Sequence, residues 1–329
     1  MKTRKITIML LLVAMSNLLF GQREELSITT LNCEFLNVEK IHKKYGEPLR
    51  LKTAAQKKWN DDYRIKKFKE ACDNIAEYLH ELNSDVFALT EVGNKVEVAE
   101  LLEALQKRDT SYQYSAVCKS TDYTTRQHVA VISRLPLKKV LRQIEGREGY
   151  IAENDDPEEE SETGVSKGMK VEIQYKDTSF VLYVVHFVSE RNGEKADRQR
   201  IAQASIIRRH LLKDLNAGKL IMVTGDLNDG RGQPTLRRLR GFDDIFEDLL
   251  QTGHTQYFEE EFWNTRWTHE FKGVRAQIDH VLISQSIKSV TKRGGIDASV
   301  SIHNNRLISD HNAFTVKFRL KDLKKTALR

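Results

Sequence analysis

The chain has 329 residues, of which 40% are hydrophobic and 30% charged, and a formal net charge of +6. This is the composition of an ordinary soluble globular protein and excludes a disordered one. Length alone leaves one large domain or two small ones open.

Lys2, Arg4 and Lys5 precede the apolar stretch Ile6 to Phe20, and Gly21-Gln22 follows. That basic, apolar, small order predicts a secretory signal peptide over residues 1–21, cleaved near Gly21. A disordered start or a short anchor are the competing readings, but the stretch is too short for a comfortable membrane span. No cysteine ends it, so a lipid anchor is not expected. The mature protein should be secreted or periplasmic, with no stable membrane anchor and no evident obligate protein partner.

Further along, Leu26 to Leu31 reads as a strand. Tyr63 to Leu82 reads as a long helix with Phe68, Cys72, Ile75, Ala76 and Leu79 at helical spacing. Asp85 to Leu89 is a short buried strand and Val96 to Leu105 a second amphipathic helix. Tyr112 to Val117, Val129 to Ser133 and Leu137 to Ile144 read as strands, with Arg134-Leu135-Pro136 as a turn. Seven acidic residues and no basic one lie within Glu153 to Glu162, which predicts a solvated loop. The strands Met169 to Tyr175 and Ser179 to His186 follow, then a helix over Ala196 to Leu215. Leu220 to Val223, Gln277 to Ser284 and Ala313 to Phe318 are late strands, and Lys321 to Arg329 is a basic tail. Without a linker or a repeat, this alternation predicts one α/β domain over residues 22–329.

Removing the signal segment takes three basic residues and no acidic one, which lowers the net charge to +3. The mature chain outside the acidic loop then carries +10, an excess that attracts phosphates or is simply a solvated surface. Cys33, Cys72 and Cys118 have no metal-type spacing and read as buried small hydrophobes, with a disulfide between two of them left open.

Five polar clusters end or interrupt the apolar runs: Leu31-Asn32-Cys33-Glu34, Leu89-Thr90-Glu91-Val92, Thr224-Gly225-Asp226-Leu227-Asn228, Gln277-Ile278-Asp279-His280 and Ser309-Asp310-His311-Asn312. A carboxylate at the end of a buried strand needs a partner or a metal ion to offset its desolvation, so five such placements predict one shared polar site. Asp226 and Asn228 stand two apart after a strand and so share a side, although their residue types also suit an ordinary turn. His280 alternates away from Asp279 and reads as structural.

In order and wording the clusters resemble the endonuclease/exonuclease/phosphatase superfamily, from about Leu26 to Phe318. The resemblance implies a four-layer α/β sandwich: two mainly antiparallel sheets face to face, helices outside, and the clusters converging at one edge. It also implies a Mg²⁺ or Mn²⁺ cofactor with Glu91 as central ligand and Asn32, Glu34 and Asp310 contacting metal. Such hard cations take oxygen ligands and keep several waters. Glu34 stands where Asp is common, and Thr90 where Gln is frequent.

By the same resemblance Asp226 activates the attacking water, Asn228 holds water or phosphate, and Asp279 orients and charges His311. His186, in Val185-His186-Phe187, is expected to protonate the leaving oxygen, with its carboxylate partner unassigned. Arg126 is a weaker phosphate-clamp candidate. Trp263, Trp267 and Phe262 suit stacking or a lipid surface but more simply packing. There is no Ser-His-Asp elbow, phosphate-binding Gly-rich loop or dinucleotide fingerprint.

The expected activity is that of an exported metal-dependent phosphoesterase, first of all a nuclease acting on nucleic acid by in-line attack of water. A sphingomyelinase-like or inositol-phosphate hydrolase would use the same residues, though sparse apolar loops weigh against lipid. A non-catalytic binding module on the same fold is the remote alternative.

Overall fold

A computed structural model of the protein describes residues 25–47, 52–151, 160–241, 245–247, 266–287, 296–303 and 307–319. The signal segment, residues 152–159 of the acidic run, Phe262, Trp263 and the basic tail lie outside the described residues.

In chain order the elements are β1 (Glu25–Leu36), α1 (His42–Tyr45), α2 (Ala54–Leu82), β2 (Val86–Val92), α3 (Lys95–Gln106), β3 (Tyr114–Val117), β4 (His128–Ser133), β5 (Leu137–Leu141), β6 (Glu148–Tyr150), β7 (Ser161–Thr163), β8 (Gly168–Tyr175) and β9 (Thr178–His186). They continue with α4 (Gly193–Asn216), β10 (Leu220–Asp226), α5 (Pro234–Arg240), β11 (Ile245–Glu247), β12 (His269–Phe271), β13 (Val274–Ala276), β14 (Asp279–Ser284), β15 (Ile296–Ser301) and β16 (Ala313–Arg319).

Among the described residues two six-stranded sheets result, in the orders β15-β16-β1-β2-β4-β3 and β11-β14-β10-β9-β8-β5. Only the β1–β2 and β9–β10 pairs within them are parallel. Alternation along the strands produces the layers. Leu26, Ile28, Val86 and Ala88 of the first sheet meet Leu182, Val184, Met222 and Val281 of the second in a shared core. On the first sheet's outer face, Leu31, Phe87 and Leu89 pack on Phe68 and Ile75 of α2 and Leu101 of α3. On the second's, Tyr183, Val185 and Val223 pack on Ile207 and Leu211 of α4 and Leu236 of α5. Each such aliphatic side chain contributes roughly 1.5–3 kcal/mol when fully buried. The result is the four-layer sandwich expected.

Helix α2 begins nine residues before the start expected at Tyr63. Thr53 caps it, accepting from Gln56 N while the Gln56 side chain accepts from Thr53 N. This reciprocal capping box sets the start, and the added turns are too polar to show a period. The acidic run does not stay a loop to its end, because β7 within it pairs with β6, and Gln199 of α4 donates to Thr163 Oγ1 at 3.1 Å. All three cysteines are buried and free. Among the described residues, no helix is long and apolar enough to cross a membrane.

Candidate active site

The inward alternation that builds the inter-sheet core continues to the strand ends, where its last positions are polar. On β9, Phe180, Leu182 and Val184 lead to His186; on β10, Met222 leads through Thr224 to Asp226; on β14, Ile283 and Val281 lead to Asp279. In register, Asp226 lies opposite both His186 and Asp279, so three chemically active side chains stand in a row across the second sheet. On β1 the same parity carries Leu26 and Ile28 on to Asn32, which faces that row from the first sheet.

Glu91 breaks the alternation. Period two would send it outward with Phe87 and Leu89, but its backbone is left-handed, with φ +56°, and the β2–β4 register shifts between Leu89 and Val92. A parallel irregularity in β1 puts Glu34 and Phe35 at φ +45° and +51°. The two kinks support each other, since Phe35 N donates to Glu91 Oε2 at 3.0 Å. Left-handed non-glycine residues carry strain of order 1–3 kcal/mol and persist where their surroundings fix them. The outcome is a Glu91 Oε1 only 3.9 Å from His186 Nε2, across the gap between the sheets.

Asp226 is the centre. Its Oδ2 accepts from Asn32 Nδ2 at 2.9 Å and lies 3.7 Å from His186 Nε2 and 4.0 Å from His311 Nε2. Its Oδ1 accepts from Asn228 N at 2.9 Å, and Asn228 Nδ2 donates to Phe187 O at 3.1 Å. His311 Nδ1 meets Asp279 Oδ2 at 2.7 Å. Ser309 Oγ ties this group to β1 by donating to Asn32 O at 2.6 Å.

Burial, followed by the nearby Asp279, raises the Asp226 carboxyl to about 7, against His311 and the hydrogen bonds from Asn32 and Asn228 N. Burial likewise raises Glu91, partly offset by His311 and Lys167. For His311 burial favours the neutral ring, but Asp279, with Asp226 and Asp310, overrides it and raises the imidazolium to about 10.

Several expected roles need correction. Glu34 is not among the clustered ligands: its carboxylate lies 3.5 Å from the buried Lys44 ammonium, which it serves as counter-ion. Arg126 is 53% exposed and points to Glu39, 3.5 Å away, in a surface depression shared with Arg64 and His128. His186 is buried, its Nδ1 has no hydrogen-bond partner among the described residues, and burial with the Lys167 and His311 cations holds it well below the usual imidazole range. Those influences disfavour its charged form and so weigh against a proton-donor role. Asp310 groups with His269 and His311 rather than with Glu91. His280 is structural as expected, with Nε2 against Asp229 O at 2.9 Å, and Trp267 is buried beneath the Arg275 guanidinium.

Two participants escaped the sequence. Lys167, just before β8, is buried with its ammonium 3.3 Å from Asp122 and 3.4 Å from Gln127 Oε1. His269 lies over His311 with ring centroids 4.5 Å apart. No motif marks either residue; only the fold brings them there.

Residues 69–311 match the Endonuclease/Exonuclease/phosphatase family. The chain belongs to this family. Its members are metal-dependent hydrolases of phosphate esters. No curated protein matches the chain. Among solved structures, truncated TDP2 from Caenorhabditis elegans is similar at 15% identity and TM-score 0.54, over 89% of this chain and 97% of that one. A beta toxin mutant from Staphylococcus aureus with bound magnesium ions is similar at 12% identity and TM-score 0.56, over 89% and 99%. An endonuclease/exonuclease/phosphatase family protein from Leptotrichia buccalis matches at 14% identity and TM-score 0.52, over 89% and 99%. At these identities the likeness is one of fold.

The family's divalent cation fits the residues present. Glu91, Asp226 and Asp279 crowd negative charge into a largely buried space, and Asp279 Oδ1 has no hydrogen-bond partner among the described residues. Burial raises both Glu91 and Asp226, and Asp279 adds to the rise at Asp226. Glu91 and Asn32 offer the oxygen donors a hard cation takes, and a dication there would offset the desolvation.

Proposed function

We propose that the protein is an exported phosphodiesterase using Mg²⁺ or Mn²⁺, with nucleic acid as its first substrate class. The observation that carries the reading is the convergence of Asn32, His186 and His311 on one carboxylate oxygen, Asp226 Oδ2, within 4.0 Å. A pure binding module has no need to hold a carboxylate of raised proton affinity opposite an imidazolium.

In this reading Asp226, oriented by Asn32 and Asn228 N, takes the proton of the attacking water. His311, charged and fixed by Asp279, opposes the negative charge that develops on the phosphorane oxygens. Neutral His186 positions phosphate or water through Nε2. Glu91 with Asn32 would hold the cation, which neutralises the scissile phosphate when bound. Nucleic acid is favoured by the +10 carried outside the acidic loop; export rests on Lys2 to Gly21, and a mature N-terminus near Gln22 tests it.

One feature favours a lipid head group as a second reading. The β12–β13 hairpin, whose base bridges His311, exposes Phe271 by 62% and Val274 by 70% at its tip, which offsets in part the sparse apolar loops that weigh against lipid. The test is a panel of DNA, RNA, inositol phosphates and sphingomyelin vesicles, at low salt with each metal. Cleavage of nucleic acid with a salt slope on the order of 2 to 4 supports the first reading. Phosphocholine release with inert nucleic acid selects the second, and Phe271→Ser should then abolish it. Inertness toward every phosphodiester with both metals overturns the enzyme assignment.

A further inference from the structure

We propose that His269, His311 and Asp310 form a second metal site, selective for zinc, whose occupation withdraws His311 from the reaction. The withdrawal rests on the function proposed above; the site itself does not.

Ligating atoms of the three residues lie within 4.8 Å of one another. Their placement is built by backbone. His269 and His311 form an antiparallel bridge, Asn312 N donates to Thr268 O at 2.7 Å, and Thr268 N donates to Ala276 O at 2.9 Å. Thr268 Oγ1 also accepts from Ile278 N and Asp279 N, at 3.0 and 3.1 Å, so the hairpin carrying His269 is clamped to the strand carrying Asp279.

One ring nitrogen of His311 is already held by a carboxylate. His311 Nδ1 is committed to Asp279 at 2.7 Å, leaving Nε2 to ligate. A ligating histidine characteristically gives its other nitrogen to a carboxylate, which fixes the ring and strengthens it as a donor. The donor set separates this site from the one at Glu91. Two imidazoles and one carboxylate, with a position left for water, is the pattern of three-ligand zinc sites. The oxygen donors of Glu91 and Asn32 suit Mg²⁺. Zinc at the His269 site would take the place of the Nε2 proton, which passes to solvent, and His311 would then have neither lone pair nor proton to offer a phosphate oxygen. The protein would thus carry a supporting metal at Glu91 and an opposing one at His269.

The experiment uses the full chain in excess Mg²⁺. Calorimetric titration with Zn²⁺ should show one site per chain, Co²⁺ should give the visible absorption of a four-coordinate ion, and phosphodiester hydrolysis should fall as Zn²⁺ is added. His269→Ala should weaken Zn²⁺ binding by at least about tenfold and shift the inhibition curve equally, relative to its own zinc-free rate. His269→Gln keeps the bulk of the side chain and should behave the same. Zinc binding that survives both substitutions, or that excess Mg²⁺ abolishes, overturns the proposal. If no phosphodiester is hydrolysed at all, the function above fails while the calorimetry still decides the zinc site.

Discussion

His311 and Asp279 meet at 2.7 Å through Nδ1 and Oδ2, and neither residue is more than 6% exposed. Asp279 favours the charged ring where burial alone would favour the neutral one. Replacing Asp279 by Asn removes the largest influence that raises His311, so burial takes over and its pKa falls. The charged form is present below the pKa and lost above it, so the alkaline limb of kcat/KM against pH should move to lower pH. Near neutrality the rate should fall by about 10²–10³. An unshifted limb would mean that another group titrates there.

Metal removal provides a second test, on Glu91. In the apo protein a buried carboxylate near Asp226 and Asp279 opposes folding, so Glu91→Gln should melt in EDTA at or above the wild-type temperature. Saturation with Mg²⁺ at about a hundredfold over Kd should stabilise the wild type by roughly 2.7 kcal/mol and the variant by little, with turnover lost. Equal magnesium stabilisation of both proteins would remove Glu91 from the metal.

How much of this was legible depends on periodicity. His186, Asp226, Asp279 and Asn32 are inward positions of alternating strands, so reading the apolar alternation to its polar end finds them. Glu91 was found by wording and not by parity, because its left-handed backbone reverses the face that period two assigns. Glu34 misled for the same reason: the kink at φ +45° gives its carboxylate to Lys44, a pairing that no local spacing announces. His269 and Lys167 reach the site only through contacts over long chain separations, such as the bridge to His311. The early start of α2 was invisible because capping fixes it while its first turns carry no apolar stripe.

A pH-dependent contribution to stability is expected at Asp214, away from the site. Burial favours its neutral form, but Lys219, Tyr183 and Lys170 hold it charged, and its pKa lies below the ordinary carboxylate value. The contacts are 2.7 Å from Lys219 to Oδ1, and 2.5 Å from Tyr183 and 3.1 Å from Lys170 to Oδ2. A folded pKa below the unfolded one gives stability that is full above the unfolded value and is lost as pH falls through the folded value. Asp214→Asn should therefore destabilise by about 1.5–3 kcal/mol at pH 7, with the difference shrinking toward zero at pH values below the folded pKa. Urea melts at both pH values check it, and a pH-independent difference would mean that packing and not charge is responsible.

Gly225 sets the spacing on which the whole row of polar residues depends. It lies between Thr224 and Asp226 on β10 with φ +129°, a conformation that residues with a side chain avoid. A Cβ there would stand 2.0 Å from Val185 O and 3.1 Å from Val185 C of the neighbouring parallel strand. The obstruction is backbone, so no rotamer relieves it; β9 and β10 must separate at the Gly225–Val185 pair, one residue before His186 and Asp226. Gly225→Ala should destabilise the fold by at least about 2 kcal/mol. In whatever fraction remains folded, activity should drop more than it does for Gly218→Ala, where φ is +70° but nothing lies within 4 Å of the new methyl. Comparing the two variants by chemical melts and by initial rates separates general backbone strain from the local displacement of Asp226. Equal losses in both would show that the close approach of the two strands has no part in positioning the carboxylate.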